Sequence, residues 1–187
     1  MDTNLQSYLK IYKNSIEKDT CDKIVTSMNL LEWEQHTYRH ETTNNIVSLG
    51  DNELSVTHGI VFEQDIIMSA MFNSYKKYIT ELKFSWFGGW SGYTQVRFNR
   101  YDKDTLMAEH CDHIHTLFDG ERKGIPTLTC LIMLNDEFTG GEFMMWEDKV
   151  IKVEKGDALV FPSIFLYPHK VLPVTSGVRY SCVTWAW

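Results

Sequence analysis

The second half of the chain is a series of short strand patterns with no helical pattern between them. Residues 93–101 alternate apolar and polar side chains, and residues 127–134 are apolar on both faces, as in a buried strand. Further strands are predicted at 143–146, 150–153, 157–161, 169–172 and 178–185. Strands at this spacing predict a mainly β fold, and we expect a jelly-roll or cupin-like double-stranded β-helix.

The first half carries two helical patterns that we expect to support this core. Residues 15–33 place apolar side chains at a helical period, and residues 65–84 form a wide apolar stripe. The polar stretch 34–59 between them predicts a surface connection with a short strand near 46–49, or a lid over a substrate.

Length and composition indicate a single soluble domain. The 187 residues are enough for one core, and the net charge of −7 argues against a nucleic-acid partner. The four cysteines form no CxxC pair, which favours a reducing compartment, and we find neither a signal peptide nor a membrane-spanning apolar run. We therefore expect a cytoplasmic protein of bacterial or viral type with no membrane partner.

The run EHCDHIH at 109–115 contains the densest group of possible metal ligands. Residues i and i+2 of a strand share a face, so His110 and Asp112 project together while Cys111 points away. One imidazole and one carboxylate are two of the three ligands that hold non-haem Fe(II) while leaving open positions. His169 is the candidate for the third ligand, although taken alone it also fits a structural histidine.

Arg179, ten residues after His169, indicates an anion-binding site beside this metal site. Alternation puts Arg179 and Ser181 on one face of the last strand, and an arginine buried there needs an anion. Its planar guanidinium matches a carboxylate, and Ser181 can add a hydrogen bond. The alternative is an arginine at the sheet edge that pairs with a surface carboxylate.

This ordered set resembles the Fe(II)- and 2-oxoglutarate-dependent dioxygenases, especially the prolyl 4-hydroxylase-like group. The resemblance covers about residues 93–187 and rests on these motifs: His110-Cys111-Asp112, then His169, then Arg179-Tyr180-Ser181, with the stretches 134–142 and 156–162.

The resemblance implies a site and a reaction. His110, Asp112 and His169 would be the catalytic iron ligands, and Arg179 with Ser181 would bind the distal carboxylate of 2-oxoglutarate. With O2 as the other co-substrate, 2-oxoglutarate would be converted to succinate and CO2 while an unactivated C–H bond is hydroxylated.

Two further co-substrate contacts follow from the resemblance. Tyr101 matches a tyrosine in the strand before the HxD motif and would donate to a 2-oxoglutarate carboxylate, or else fill the core. Some relatives have a second tyrosine where this chain has Ile132 and Met133. Thr129, on the same face as Met133, is the candidate replacement donor, or else an ordinary strand threonine.

The domain is expected to divide its tasks along the chain. Residues 1–90 would supply helical support and a lid, and residues 91–187 would form the β-helix core with the metal site. His113 and His115, which the group's pattern does not use, are assigned to a loop over 113–125. That loop and the 34–59 connection are expected to frame the mouth of the site.

Substrate identity is left to competing hypotheses. The leading one is a prolyl residue of a peptide or protein, as for procollagen-proline 4-dioxygenase-like hydroxylases, with ascorbate as a reductant. The same chemistry on a free amino acid or another small molecule is an alternative, and a non-enzymatic cupin-like metal-binding module that does not need Arg179 is another. The nucleic-acid dealkylating branch is disfavoured, because residues 180–187 lack that branch's further arginine.

Overall fold

The protein is described by a computed structural model over residues 4–39, 46–47, 50, 52–112 and 127–187. The predicted loop 113–125, with His113 and His115, lies outside the described residues, as does part of the predicted 34–59 connection.

A short 3-10 helix (Leu5–Tyr8) and two α-helices, α1 (Lys18–Met28) and α2 (Gln64–Leu82), precede most of the strands. Both predicted α-helices are present, and α1 is shorter at each end than the predicted 15–33. The N–H of Ile16 donates to the carbonyl of Gly156 at 3.0 Å, so the chain before α1 is bound to a loop and cannot start the helix. α2 ends at Lys83, which has a left-handed φ of 52°.

The described strands are, in chain order, β1 (Lys10–Tyr12), β2 (Glu34–Gln35), β3 (Tyr38–Arg39), β4 (Ile46–Val47), β5 (Ser55–Thr57), β6 (Arg97–Tyr101), β7 (Met107–His110), β8 (Leu128–Met133), β9 (Phe138–Gly140), β10 (Phe143–Met145), β11 (Lys149–Val150), β12 (Ala158–Pro162), β13 (His169–Val171), β14 (Val174–Gly177) and β15 (Arg179–Ala186).

Two main antiparallel sheets form from these strands. The larger has the order β1-β12-β8-β15-β6-β5-β2 and the smaller has the order β11-β10-β13-β7. The predicted strand near 46–49 is β4, which pairs with β3. Strand β1 was not predicted, because three residues are too few to show a strand period; it pairs with the edge of β12.

The larger sheet is covered on both faces. Its outer face packs on α1 and α2 through side chains such as Cys130, Ile132 and Cys182. Its inner face meets the smaller sheet through a second core that includes Leu131, Val183 and, from β10, Met145. The last strand is therefore buried on both faces, the condition under which an inward arginine needs an anion.

This arrangement confirms the predicted mainly β core with helices against it. Two sheets that face each other across one core, with strands that alternate between them along the chain, form a double-stranded β-helix. No helix in the described part of the chain has the length and apolarity needed to cross a membrane.

Candidate metal and anion site

Two neighbouring strands of the smaller sheet bring the predicted metal ligands together. β13 pairs with β7 so that His169 lies directly opposite His110. Asp112 follows two residues after His110; its Oδ1 lies 3.5 Å from His110 Nε2 and its Oδ2 lies 3.7 Å from His169 Nε2. The ligand atoms of these three side chains all lie within 4.8 Å of one another. The donor set is that of a two-histidine, one-carboxylate facial triad.

Backbone carbonyls orient both imidazoles. Nδ1 of His110 lies 2.8 Å from the carbonyl oxygen of Ala108, and Nδ1 of His169 lies 3.0 Å from that of Tyr167. A carbonyl can only accept, so we assign the proton to Nδ1 in each ring. Both Nε2 lone pairs are then free to face the shared centre, the tautomer that a metal requires.

The protonation states also suit a metal. Burial lowers the pKa of His169 to about 4, so its imidazole is neutral at neutral pH. Burial by itself would raise the pKa of Asp112, but the adjacent His169 and His110 and the Thr129 hydroxyl together hold it below its ordinary value. A neutral imidazole and an ionised carboxylate are the forms that bind cations.

Thr129 contacts the carboxylate of the triad. Its Oγ1 donates to Asp112 Oδ2 at 2.8 Å, and Ser163 Oγ lies 2.7 Å from the same Thr129 Oγ1. Since the Thr129 proton is directed to Asp112, Ser163 is the donor in the second bond. Thr129 was predicted as a co-substrate contact, which stays a prediction; in the structure its hydroxyl orients a metal-ligand candidate, because β8 passes directly beside Asp112.

Arg179 lies on the inner face of β15, as alternation predicted. It is fully buried, its Nη1 donates to Ser181 Oγ at 3.3 Å, and its guanidinium carbon lies 4.8 Å from the centre of the Tyr101 ring. β15 pairs with β6 so that Tyr101 lies directly opposite Arg179. The sheet-edge alternative for Arg179 is therefore excluded.

The rest of the Arg179 guanidinium has no hydrogen-bond partner among the described residues. Both Nε and Nη2 are buried and unsatisfied. Burial lowers the pKa of Arg179, yet an arginine stays charged under physiological conditions. A buried cation with two free donors defines a place for an anion, and a carboxylate satisfies both donors.

Cys111, the residue between His110 and Asp112, was predicted to point away from them. Cys111 points away from the triad, and its thiol lies 3.5 Å from the carbonyl oxygen of Phe165.

Two inner-face residues of β6, Arg97 and Asn99, were not singled out from the sequence. Alternation from Tyr101 would have found them, since positions two and four residues before it share its face.

Comparisons with known proteins agree with this geometry. The sequence model of the 2OG-Fe(II) oxygenase superfamily matches residues 96–187. A PKHD-type hydroxylase of Aliarcobacter butzleri is 36% identical over 96 residues, which is 47% of this chain and 41% of that protein. A PKHD-type hydroxylase of Xylella fastidiosa is 30% identical over 99 residues, covering 48% and 42%. The chain thus spans less than half the length of these curated relatives.

Solved structures share the fold over nearly the whole chain. A prolyl hydroxylase of Trichoplax adhaerens, in complex with a hypoxia-inducible-factor peptide, has a TM-score of 0.69 at 19% identity and covers 96% of this chain and 83% of its own. The viral collagen prolyl hydroxylase of Paramecium Bursaria Chlorella virus-1 has a TM-score of 0.66 at 18% identity, covering 96% and 94%. The predicted double-stranded β-helix and the predicted family resemblance are both confirmed.

Proposed function

We propose that this chain, whose residues 96–187 match the sequence model of the 2OG-Fe(II) oxygenase superfamily, is an Fe(II)- and 2-oxoglutarate-dependent dioxygenase that hydroxylates an unactivated C–H bond. The observation that carries this proposal is the combination of a His110–Asp112–His169 triad with a buried Arg179 that keeps two unsatisfied donors on the inner face of the larger sheet. Iron bound there supplies the oxidative chemistry that no amino-acid side chain can perform.

The triad residues would bind Fe(II) from one side. His110 and His169 would use Nε2, and Asp112 would use one carboxylate oxygen while Thr129 keeps its hydrogen bond to the other. Three protein ligands leave the remaining positions to 2-oxoglutarate and O2. A neutral His169 and an ionised Asp112 release no proton when the metal binds.

Arg179 would hold the distal carboxylate of 2-oxoglutarate. Nε and Nη2 are free donors, and Ser181 lies beside them with its hydroxyl near Nη1. The Tyr101 ring covers the guanidinium and shields it from water, which strengthens an ion pair at that position. Because a cupin-like metal-binding module has no need for such a cation, the enzymatic hypothesis is favoured over the non-enzymatic one.

For the primary substrate we propose a prolyl residue of a peptide or protein. The support is the prolyl hydroxylases among the structural neighbours, one of which is in complex with a peptide. Ascorbate is proposed as the reductant that keeps the iron ferrous. We also propose that residues 1–187 act as one domain, with residues 1–90 as support and lid for the core at 91–187.

The test is spectroscopic and needs no substrate. Anaerobic addition of Fe(II) and 2-oxoglutarate to the wild type should produce a weak visible metal-to-ligand charge-transfer band. His169→Ala should abolish the band, and Glu109→Gln, an exposed neighbour of His110, should keep it. A wild type without the band, or a band unchanged in His169→Ala, would contradict the proposal. Turnover of a proline-rich peptide against free proline, read as the mass gain of one oxygen atom, then tests the substrate.

A further inference from the structure

A second arginine lies on the same inner face of the larger sheet as Arg179. β6 pairs with β15 so that Arg97 lies opposite Val183 while Tyr101 lies opposite Arg179. Directly opposite residues of antiparallel strands share a face, so Arg97 and Arg179 both face the inside of the β-helix. Tyr101 lies four residues after Arg97 on the same strand, about 13 Å away at the usual rise. One arginine therefore lies near each end of this face.

The contacts of Arg97 are all with neutral groups. Its Nε donates to Asn99 Oδ1 at 3.0 Å, and its guanidinium carbon lies 4.8 Å from the centre of the Trp185 ring. Within the described part of the chain, Arg97 has no ion pair. Since the Asn99 bond uses only Nε–H, the Nη1 and Nη2 edge that matches a carboxylate remains available.

The strand register puts this group on the side of the metal-ligand candidates. Trp185, which stacks on Arg97, pairs with Thr129 of the neighbouring strand. Thr129 in turn donates to Asp112. Trp185 and Thr129 thus connect Arg97 to Asp112, the carboxylate of the triad. Arg179 instead contacts Tyr101 and Ser181 at the other end of β15.

Electrostatic coupling agrees with this placement. Burial lowers the pKa of Arg97, and Tyr101 and Asp112 act in the opposite direction. Asp112 does not contribute to the pKa of Arg179. Of the two arginines, Arg97 is therefore the one coupled to the charge of Asp112.

We propose that Arg97, stacked on Trp185 and held by Asn99, binds a carboxylate of the primary substrate and so makes this a site for anionic substrates. This inference rests on the proposed function, since it assigns Arg179 to 2-oxoglutarate and Arg97 to the molecule that is hydroxylated. The carboxylate is either the α-carboxylate of a free amino acid or an acidic side chain beside the target residue of a peptide. A half-buried guanidinium that has no ion pair with any described residue gains most from such a partner.

The test uses two matched pairs of probes: L-proline with L-prolinamide, and acetyl-Asp-Pro-amide with acetyl-Asn-Pro-amide. Binding is read anaerobically from the change each probe causes in the Fe(II)–2-oxoglutarate visible band. The wild type should bind the carboxylate member of at least one pair about tenfold or more tightly than its amide. Preference in the first pair identifies an α-carboxylate, and preference in the second identifies an acidic side chain.

Arg97→Gln should reduce this preference to less than about twofold while the visible band keeps its intensity, and Arg97→Lys should retain part of it. The matched control is Arg100→Gln, because Arg100 bonds the surface residue Asp102 at 2.8 Å and should leave the preference unchanged.

Equal binding of acid and amide by the wild type in both pairs, or no binding by any carboxylate probe, overturns the proposal even if no variant folds. A preference that survives in Arg97→Gln overturns it too. In each of these cases the visible band still forms, so the proposed function stands; a wild type without the band overturns the proposed function itself.

Discussion

Thr129 donates a hydrogen bond to Oδ2 of Asp112 at 2.8 Å, from a strand of the larger sheet to a residue that follows a strand of the smaller one. Asp112 Oδ1 remains directed towards His110. One carboxylate oxygen is thus held by the protein and the other is left for a metal, which makes Thr129 a positioning residue.

Thr129→Val should weaken Fe(II) binding by about tenfold, because the isosteric side chain cannot hold Asp112 in place. Thr129→Ser keeps the hydroxyl and should bind within about twofold of the wild type. Anaerobic calorimetric titration with Fe(II), without 2-oxoglutarate, measures both. Equal affinities of the valine and serine variants would show that the bond has no positioning role.

Arg179→Met should have opposite effects on stability and on ligand binding. Without 2-oxoglutarate, removal of a buried cation with two unsatisfied donors should raise the free energy of unfolding by about 1–3 kcal/mol. With 2-oxoglutarate, the wild type should gain thermal stability and the variant should gain little.

The binding side of this prediction is quantitative. The Kd for 2-oxoglutarate should rise by at least about 30-fold in Arg179→Met, near 2 kcal/mol, while Fe(II) affinity changes little. Equal losses of iron and 2-oxoglutarate affinity would count against an anion site at Arg179.

The metal-free protein should lose stability between pH about 6.5 and about 4. Burial lowers the pKa of His169 from 6.5 to about 4, so in this window the unfolded chain takes up a proton that the folded chain excludes. The unfolded state then binds more protons, and the free energy of unfolding falls as the pH falls, by roughly 3 kcal/mol at most. Denaturant unfolding in the presence of a chelator measures it. His169→Gln should show a shallower dependence, and parallel curves would contradict the assignment.

Gly156→Ala should destabilise the fold by about 2–3 kcal/mol without a direct effect on the site. Gly156 has a φ of 87°, and an added Cβ would meet the backbone carbonyl oxygen of Ile16, which cannot move aside as a side chain could. Gly88→Ala is the control, because an added Cβ there meets no described atom within 4 Å. Comparable losses in thermal unfolding for both variants would refute this explanation.

Sequence periodicity was enough to predict the arrangement of the site along individual strands. The i, i+2 step of a strand put His110 with Asp112 and Arg179 with Ser181, and the structure keeps both pairs on a common face. This step follows from backbone geometry within a few residues, so it does not depend on which strand lies alongside.

The residues that support the site depend on which strands are neighbours. Thr129 was predicted to contact the co-substrate, which stays a prediction; its hydrogen bond to Asp112 was not predicted, because it depends on where β8 lies. Arg97 was not singled out at all, because its significance comes from Trp185, far along the chain and brought beside it by the β6–β15 register.

The sequence by itself determined the strand periods, the two helices and the order of the metal- and anion-binding candidates, since each is a local pattern of side chains. The tertiary structure alone decided that His110 lies opposite His169, that Thr129 donates a hydrogen bond to Asp112 and that two arginines share one inner face. Register is chosen by the packing of the whole sheet between the helices and the smaller sheet, and no single segment contains that information.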